Sequence, residues 1–226
     1  MSESNANAAV LSNITFDEFS TNLNSSFQRY CQSKKDGLAL LKIPTRKTES
    51  WKYSAKRLKL ADAYPVLSNG ASKYQAAYEL DCYKVVLNNN RFELSETNIQ
   101  GVSIKSFSDL DTSETEQVLS GVIAESNDSH FADLNAAQLA NGLYINIEAN
   151  AQIDKPLKVV FEHIGHGMSF PRVFVFVGKN ASFELIEELN IQSDENGDAF
   201  INSVCDITVS DNAKLRYFRM NLDQGT

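Results

Sequence analysis

Four prolines, three cysteines, three histidines and one tryptophan are few for a chain of 226 residues. Cys31, Cys82 and Cys205 stand far apart, so no C-x-x-C or Cys/His metal spacing exists. An odd, sparse set of thiols fits a reducing compartment, and the expected location is the cytoplasm. No apolar run approaches bilayer length, so no membrane span is expected. The start, MSESNANAAVLSN, lacks the basic and apolar regions of a secretory signal. GxSxG, P-loop, GxGxxG and HExxH motifs are all missing. A net charge of −8 argues against a general nucleic-acid binder. Basic residues are also missing locally: Ser106 to Asp154 contains no Lys or Arg and nine acids. The opposite bias runs from Lys42 to Lys59, with seven basic residues (Lys42, Arg46, Lys47, Lys52, Lys56, Arg57, Lys59) against Glu49. Each stretch reads as a solvated face or, alternatively, as a docking surface.

What the chain has instead is a repeated phrase. INIEANA from Ile145, VFVGKNA from Val175 and ITVSDNA from Ile207 share one pattern, with Asn-Ala pairs beginning at Asn150, Asn180 and Asn212. A further apolar residue follows each pair, at Ile153, Phe183 and Leu215. A period of 30 and then 32 residues signals stacked units of strand, tight turn and strand. Asn accepts the left-handed conformation of a corner, and Ala leaves it uncrowded. The expected fold is therefore mainly β: the start of a right-handed parallel β-helix, preceded by a small α+β part. Ile145, Ile147, Val175, Val177, Ile207 and Val209 should stack inside it.

Residues 1–12 read as a flexible tail. An N-terminal α+β domain is expected over 13–142, and the first coils over 143–226. Thr15 to Glu18 reads as a capping box opening a helix, with Phe16, Phe19, Leu23, Phe27 and Tyr30 on one face, to about Ser33. Short helices are expected over 48–62 and 71–80. Tyr83–Leu87 and Arg91–Leu94 read as a hairpin around Asn88-Asn89-Asn90, and Gly101–Phe107 as a strand. Helices follow over Ser108–Glu125 and Phe131–Ala140, the latter closed by Asn141-Gly142. Beyond residue 142 strands are expected at Leu143–Ile147, Leu157–Glu162, Arg172–Val177, Ser182–Leu189, Phe200–Val209 and Lys214–Met220, with Ser193–Asp198 as a projecting loop.

Candidate chemistry is thin. Of the histidines, His130 stands alone, while His163 and His166 form an H-x-x-H pair without an evident third ligand, and read as a solvated turn. Cys31, Cys82 and Cys205 read as structural thiols. Glu184 and Glu188 share one strand face and Glu187 the other, and a solvated outer face is expected. Pro44-Thr-Arg-Lys-Thr-Glu-Ser-Trp-Lys-Tyr-Ser54 holds the only Trp, with Pro44 starting a turn and Trp51 as packing anchor. Its interleaved basic and aromatic residues leave single-stranded nucleic acid open as a ligand; in an acidic protein a structural or docking role is preferred.

That phrase, P-T-R-K-x-E-x-W-K-Y-S, resembles the N-terminal signature of the SufD branch of the SufB/SufD family, which serves the SUF iron–sulfur assembly system. Pro44, Arg46, Lys47, Glu49, Trp51, Lys52 and Tyr53 carry the match. The YKVVLNNNRFELS hairpin, the helix from Phe131 to Gly142 and the Asn-Ala repeats resemble the family as well. The resemblance implies a non-enzymatic scaffold that, in the full-length protein, pairs with a SufB-like subunit and a SufC-like ATPase. It implies an iron–sulfur cluster and reduced flavin only for the whole complex, so no cofactor, metal or catalytic residue is expected in this chain. Family members run to about twice this length, so the chain reads as an N-terminal fragment. Two alternatives from other classes are a carbohydrate-active β-solenoid enzyme and a nucleic-acid-binding module using residues 42–59.

Overall fold

The computed structural model describes residues 22–38, 46–53, 67, 76, 78–89, 91–93, 98–123, 130–192 and 199–223. The tail, the Thr15–Glu18 box, Phe16, Phe19, Pro44, most of the segments expected to be helical over 48–62 and 71–80, and the Ser193–Asp198 loop lie outside these residues.

Helix α1 spans Ser25–Leu38. Asn24 caps it: the amides of Ser26 and Phe27 donate to Asn24 Oδ1 at 3.1 and 3.2 Å. Leu23 is buried but precedes the helix, and Asp36-Gly37 fail to stop it. Strands β1 (Tyr83–Asn88) and β2 (Arg91–Glu93) form the expected hairpin, with Asn88 opposite Arg91 and Asn89 at φ 51°. Strand β3 (Val102–Ser106) leads through a 3-10 turn, Phe107–Asp109, into α2 (Thr112–Ile123). Asp111 and Glu114 cap α2 reciprocally, each accepting the other's backbone amide at 2.9–3.1 Å. Helix α3 spans His130–Ala137.

Among the described residues eight strands follow: β4 (Leu143–Ile147), β5 (Leu157–Ile164), β6 (Gly167–Ser169), β7 (Arg172–Val177), β8 (Ser182–Gln192), β9 (Ala199–Ile201), β10 (Val204–Val209) and β11 (Lys214–Asp223). The strand expected over Phe200–Val209 is two, broken at Asn202-Ser203, and β6 went unread because three residues around Gly167 are too few to show a period. These strands visit three sheets in rotation. One has the order β11-β8-β5-β1-β2, the second β10-β7-β4-β3 and the third β6-β9. Repeats pair in parallel: Ile145 opposes Val175 and Val175 opposes Ile207. Strand β1 pairs in parallel with β5, and β3 antiparallel with β4, so strands from either side of residue 142 share sheets.

The corners explain the repeat. Asn150, Asn180 and Asn212 have φ of 65°, 60° and 56°. Their amides form a ladder: Asn180 Nδ2 donates to Asn150 Oδ1 at 3.0 Å, and Asn212 Nδ2 to Asn180 Oδ1 at 3.4 Å. At Gly178 a side chain has no room, since a Cβ would lie 2.7 Å from Ala149 N and Ile147 O.

Between the sheets lies an apolar core that includes Val85, Leu87, Leu157, Val159, Phe161, Ile145, Ile147, Val175, Val177 and Leu185. Four of the six stacking residues are fully buried, and Ile207 packs half-buried against them. Val209 departs from expectation. It is 45% exposed, because β10 is the outermost strand of its sheet. A second core joins the helices to the outer face of β4 and β7: Phe27 stacks on Phe107 at 5.0 Å and Tyr144 on Phe174 at 6.2 Å.

Candidate functional site

The described part of the signature phrase, residues 46–53, forms a surface turn. Glu49–Trp51 is one turn of 3-10 helix, with Trp51 N donating to Thr48 O at 2.9 Å. Trp51 is half-buried, its ring 5.2 Å from that of Phe131 on α3. Arg46, Lys47, Glu49 and Lys52 are exposed, and Lys52 Nζ lies 5.6 Å from the centre of the Tyr53 ring. Tyr53 is 85% exposed. Helix α3 fixes this turn to the sheets through a buried polar network. Asn135 Nδ2 donates to the carbonyls of Pro171 and Asn202 at 3.1 and 2.7 Å, and Asn202 Nδ2 donates to Phe131 O at 2.7 Å. Arg172, also buried, donates to Asn135 Oδ1 and, at 2.8 Å, to Asp206.

The H-x-x-H pair does not converge on one site. His163 is buried at the end of β5, with Nδ1 2.8 Å from Ser169 Oγ, whereas His166 is exposed. His163 is therefore no part of a solvated turn, since β5 runs on to Ile164 and carries the ring inward. Burial lowers its pKa to about 4 and keeps it neutral.

The glutamates also differ from expectation. Glu184 is partly exposed and meets Arg216 at 3.4 Å, but Glu187 and Glu188 are buried. Alternation sends Glu187 inward with Leu185, and neighbouring chain covers Glu188 on the outer face. Glu188 accepts from Lys158 Nζ at 3.2 Å and from Tyr78 OH at 3.0 Å, and Lys158 sits 4.8 Å from the Tyr78 ring centre. Glu187 accepts from Tyr217 OH and from the Cys205 thiol, with Arg219 Nε 4.0 Å away. Burial, then the Glu187 charge and hydrogen bond, push the Cys205 thiol well above its usual range. Cys31 is raised to about 11 by burial alone in its leading cause. Such thiols are poor nucleophiles at neutral pH.

Composition hid these inward and covered charges, but the repeat length could have located two. Glu187 and Arg219, like Glu184 and Arg216, are separated by the interval that separates Asn180 from Asn212, and each pair stands directly opposite in the β8–β11 ladder.

The three cysteines occupy separate surroundings: Cys31 in the helical core, Cys205 beside the sheet core, and Cys82 in an open cavity of about 540 Å³ with Lys84 and Lys158. Among the described residues no group of three His, Cys, Asp or Glu side chains could hold a metal ion. Another open cavity, about 600 Å³, is lined by Glu148 and Asp154, which would repel a flavin phosphate. Among the described residues no helix is long and apolar enough to cross a membrane.

Residues 160–226, from within β5 onward, match the family model described as SUF system FeS cluster assembly, SufBD core domain. A curated relative, an iron-sulfur cluster assembly SufBD family protein of Synechocystis sp. (strain ATCC 27184 / PCC 6803 / Kazusa), is 26% identical over 214 residues. That alignment covers 86% of this chain and 47% of the relative. Over these residues the chain is similar to the SufB/SufD family. It spans about half the length of the curated relative it matches. The SufBD core match contains the Glu187–Cys205–Tyr217 cluster and two of the three Asn corners, whereas the Trp51 turn lies outside it.

Proposed function

We propose that this chain is a member of the SufB/SufD family and a SufD-type scaffold subunit of the SUF iron–sulfur assembly system. It acts without catalysing a reaction, in the cytoplasm. Its strands form the opening coils of a right-handed parallel β-helix, and it joins a SufB-like subunit and a SufC-like ATPase. The observation that carries this reading is the three-sheet rotation of the chain with an Asn corner in each repeat, two of the three corners lying within the region matched by the SufBD core. The PTRKTESWKYS phrase supports the SufD branch over SufB. Engagement of Glu187, Glu188 and Cys205 within the protein supports a scaffold over an enzyme. Cluster and flavin are cargo and cofactor of the assembled complex; this chain contributes surface and rigidity.

Co-expression with a tagged SufB-like subunit and a SufC-like ATPase tests the assignment. The chain should co-elute with the SufB-like subunit in size-exclusion chromatography. Elution of the chain apart from it, with the other two associated, would sink the scaffold reading.

A further inference from the structure

The basic, aromatic turn at 46–53 is not used by the scaffold reading. Within eight residues it presents three cations, Arg46, Lys47 and Lys52, against the one carboxylate of Glu49, all exposed, on a protein whose net charge is −8. A local positive field on an acidic body concentrates an anionic partner at one place, because the remaining surface repels it. Beside these cations Tyr53 stands 85% exposed. A rigid ring with an apolar face and a polar tip is a favoured contact group in interfaces. The turn is also held in place. Trp51 packs on Phe131, and the Phe131 carbonyl accepts from Asn202 between β9 and β10. A ligand docked here therefore meets a preformed surface and orders little of it on binding.

We propose that this turn is a docking site for an acidic peptide segment of a partner protein. Arg46 and Lys52 engage its carboxylates, and Tyr53 packs against an apolar side chain between them. A peptide is favoured over nucleic acid because the patch presents one open aromatic ring among the described residues, with Trp51 turned onto Phe131, whereas a base-stacking strand needs successive free rings.

The probe is a fluorescein-labelled peptide of Asp and Glu with a central Phe, titrated with the whole chain at low salt and read by anisotropy. Emission of Trp51, the only tryptophan, reports binding next to the turn. Tyr53→Ala should weaken binding about fivefold. The Arg46→Glu, Lys52→Glu double variant should weaken it by about thirtyfold or more. Lys214→Glu, an exposed basic site on β11, should leave the affinity within about twofold, as a rim charge far from the contact does. Circular dichroism of the variants should match the wild type, since the changed side chains are exposed. Absence of binding by the wild-type chain, equal loss in Lys214→Glu, or tighter binding of oligothymidylate than of the peptide would each overturn the proposal.

Discussion

Ile145, Val175 and Ile207 occupy one position in three successive repeats, yet they live in different surroundings. The first two are wholly buried; the third is half-buried beside Cys205. The neighbouring row changes character more sharply. Val159, Glu187 and Arg219 are aligned across β5, β8 and β11, passing from an apolar core residue to a buried carboxylate to a partly exposed cation. The inner repeat is thus held by apolar burial and the outer repeat by directed polar contacts. Apolar burial is proportional to area and survives a two-residue shift that keeps the same face inward, whereas Glu187 meets Arg219, and Glu184 meets Arg216, only in the register observed. One part of the stack supplies stability, and the other supplies alignment.

The largest effect that would break this comparison is expected at Ile145. Ile145→Ala should lower unfolding stability by about 2–5 kcal/mol in urea titration, because nothing nearby can fill the cavity. A loss equal to that of Ile207→Ala, for which about 1–2 kcal/mol is expected from its partial burial, would erase the distinction between the repeats.

His163 supplies the next test, through pH. Its folded pKa lies near 4, below the ordinary 6.5, so the unfolded chain binds the extra proton first as pH falls. The stability it permits is complete above about pH 6.5 and is lost, at about 1.4 kcal/mol per pH unit, down to about pH 4. His163→Gln should flatten the stability curve between those values. An unchanged slope would show that the imidazole is not buried in the inner repeat.

Trp51→Ala should cost about 1–2 kcal/mol rather than the larger penalty of a fully enclosed ring, since only part of its face is covered. The smallest effect belongs to Val209→Ala, at about 0.5 kcal/mol or less, as for exposed positions generally. Reactivity sharpens the contrast further. Iodoacetamide at neutral pH should label Cys82 at least about tenfold faster than Cys31, whose raised pKa leaves little thiolate. Peptide mass spectrometry would read the difference.

The repeating part of the fold was legible because each corner writes itself twice: in an apolar alternation of period two, and in an Asn with a backbone few residues accept. Leu143–Ile147 and Arg172–Val177 have the bounds their pattern implies. Helix α1 was less legible, since hydrophobic spacing does not reveal the Asn24 cap that opens it. Glu187 and Glu188 were misread because a carboxylate on a strand suggests solvent, and only tertiary structure supplies Tyr217, Lys158 and Tyr78 as partners. His163 was misread for a similar reason: a glycine two residues on suggested a loop before the strand had ended.

The ladder at the corners has a consequence for how such a chain can change length. From Ile147, Val177 and Val209 the count to the next corner Asn is always three residues. Elsewhere the count drifts. Leu157 lies opposite Leu185, 28 residues on, but Leu185 lies opposite Tyr217, 32 residues on. The Asn corner therefore acts as a clock edge. Whatever was gained or lost along one circuit, at the bend after Asp154 or between β8 and β9, the phase is restored before the next circuit starts. Insertions placed in the loops between strands, away from the corners, leave the next corner in phase, while a single residue added between Val177 and Asn180 would put every later circuit out of step.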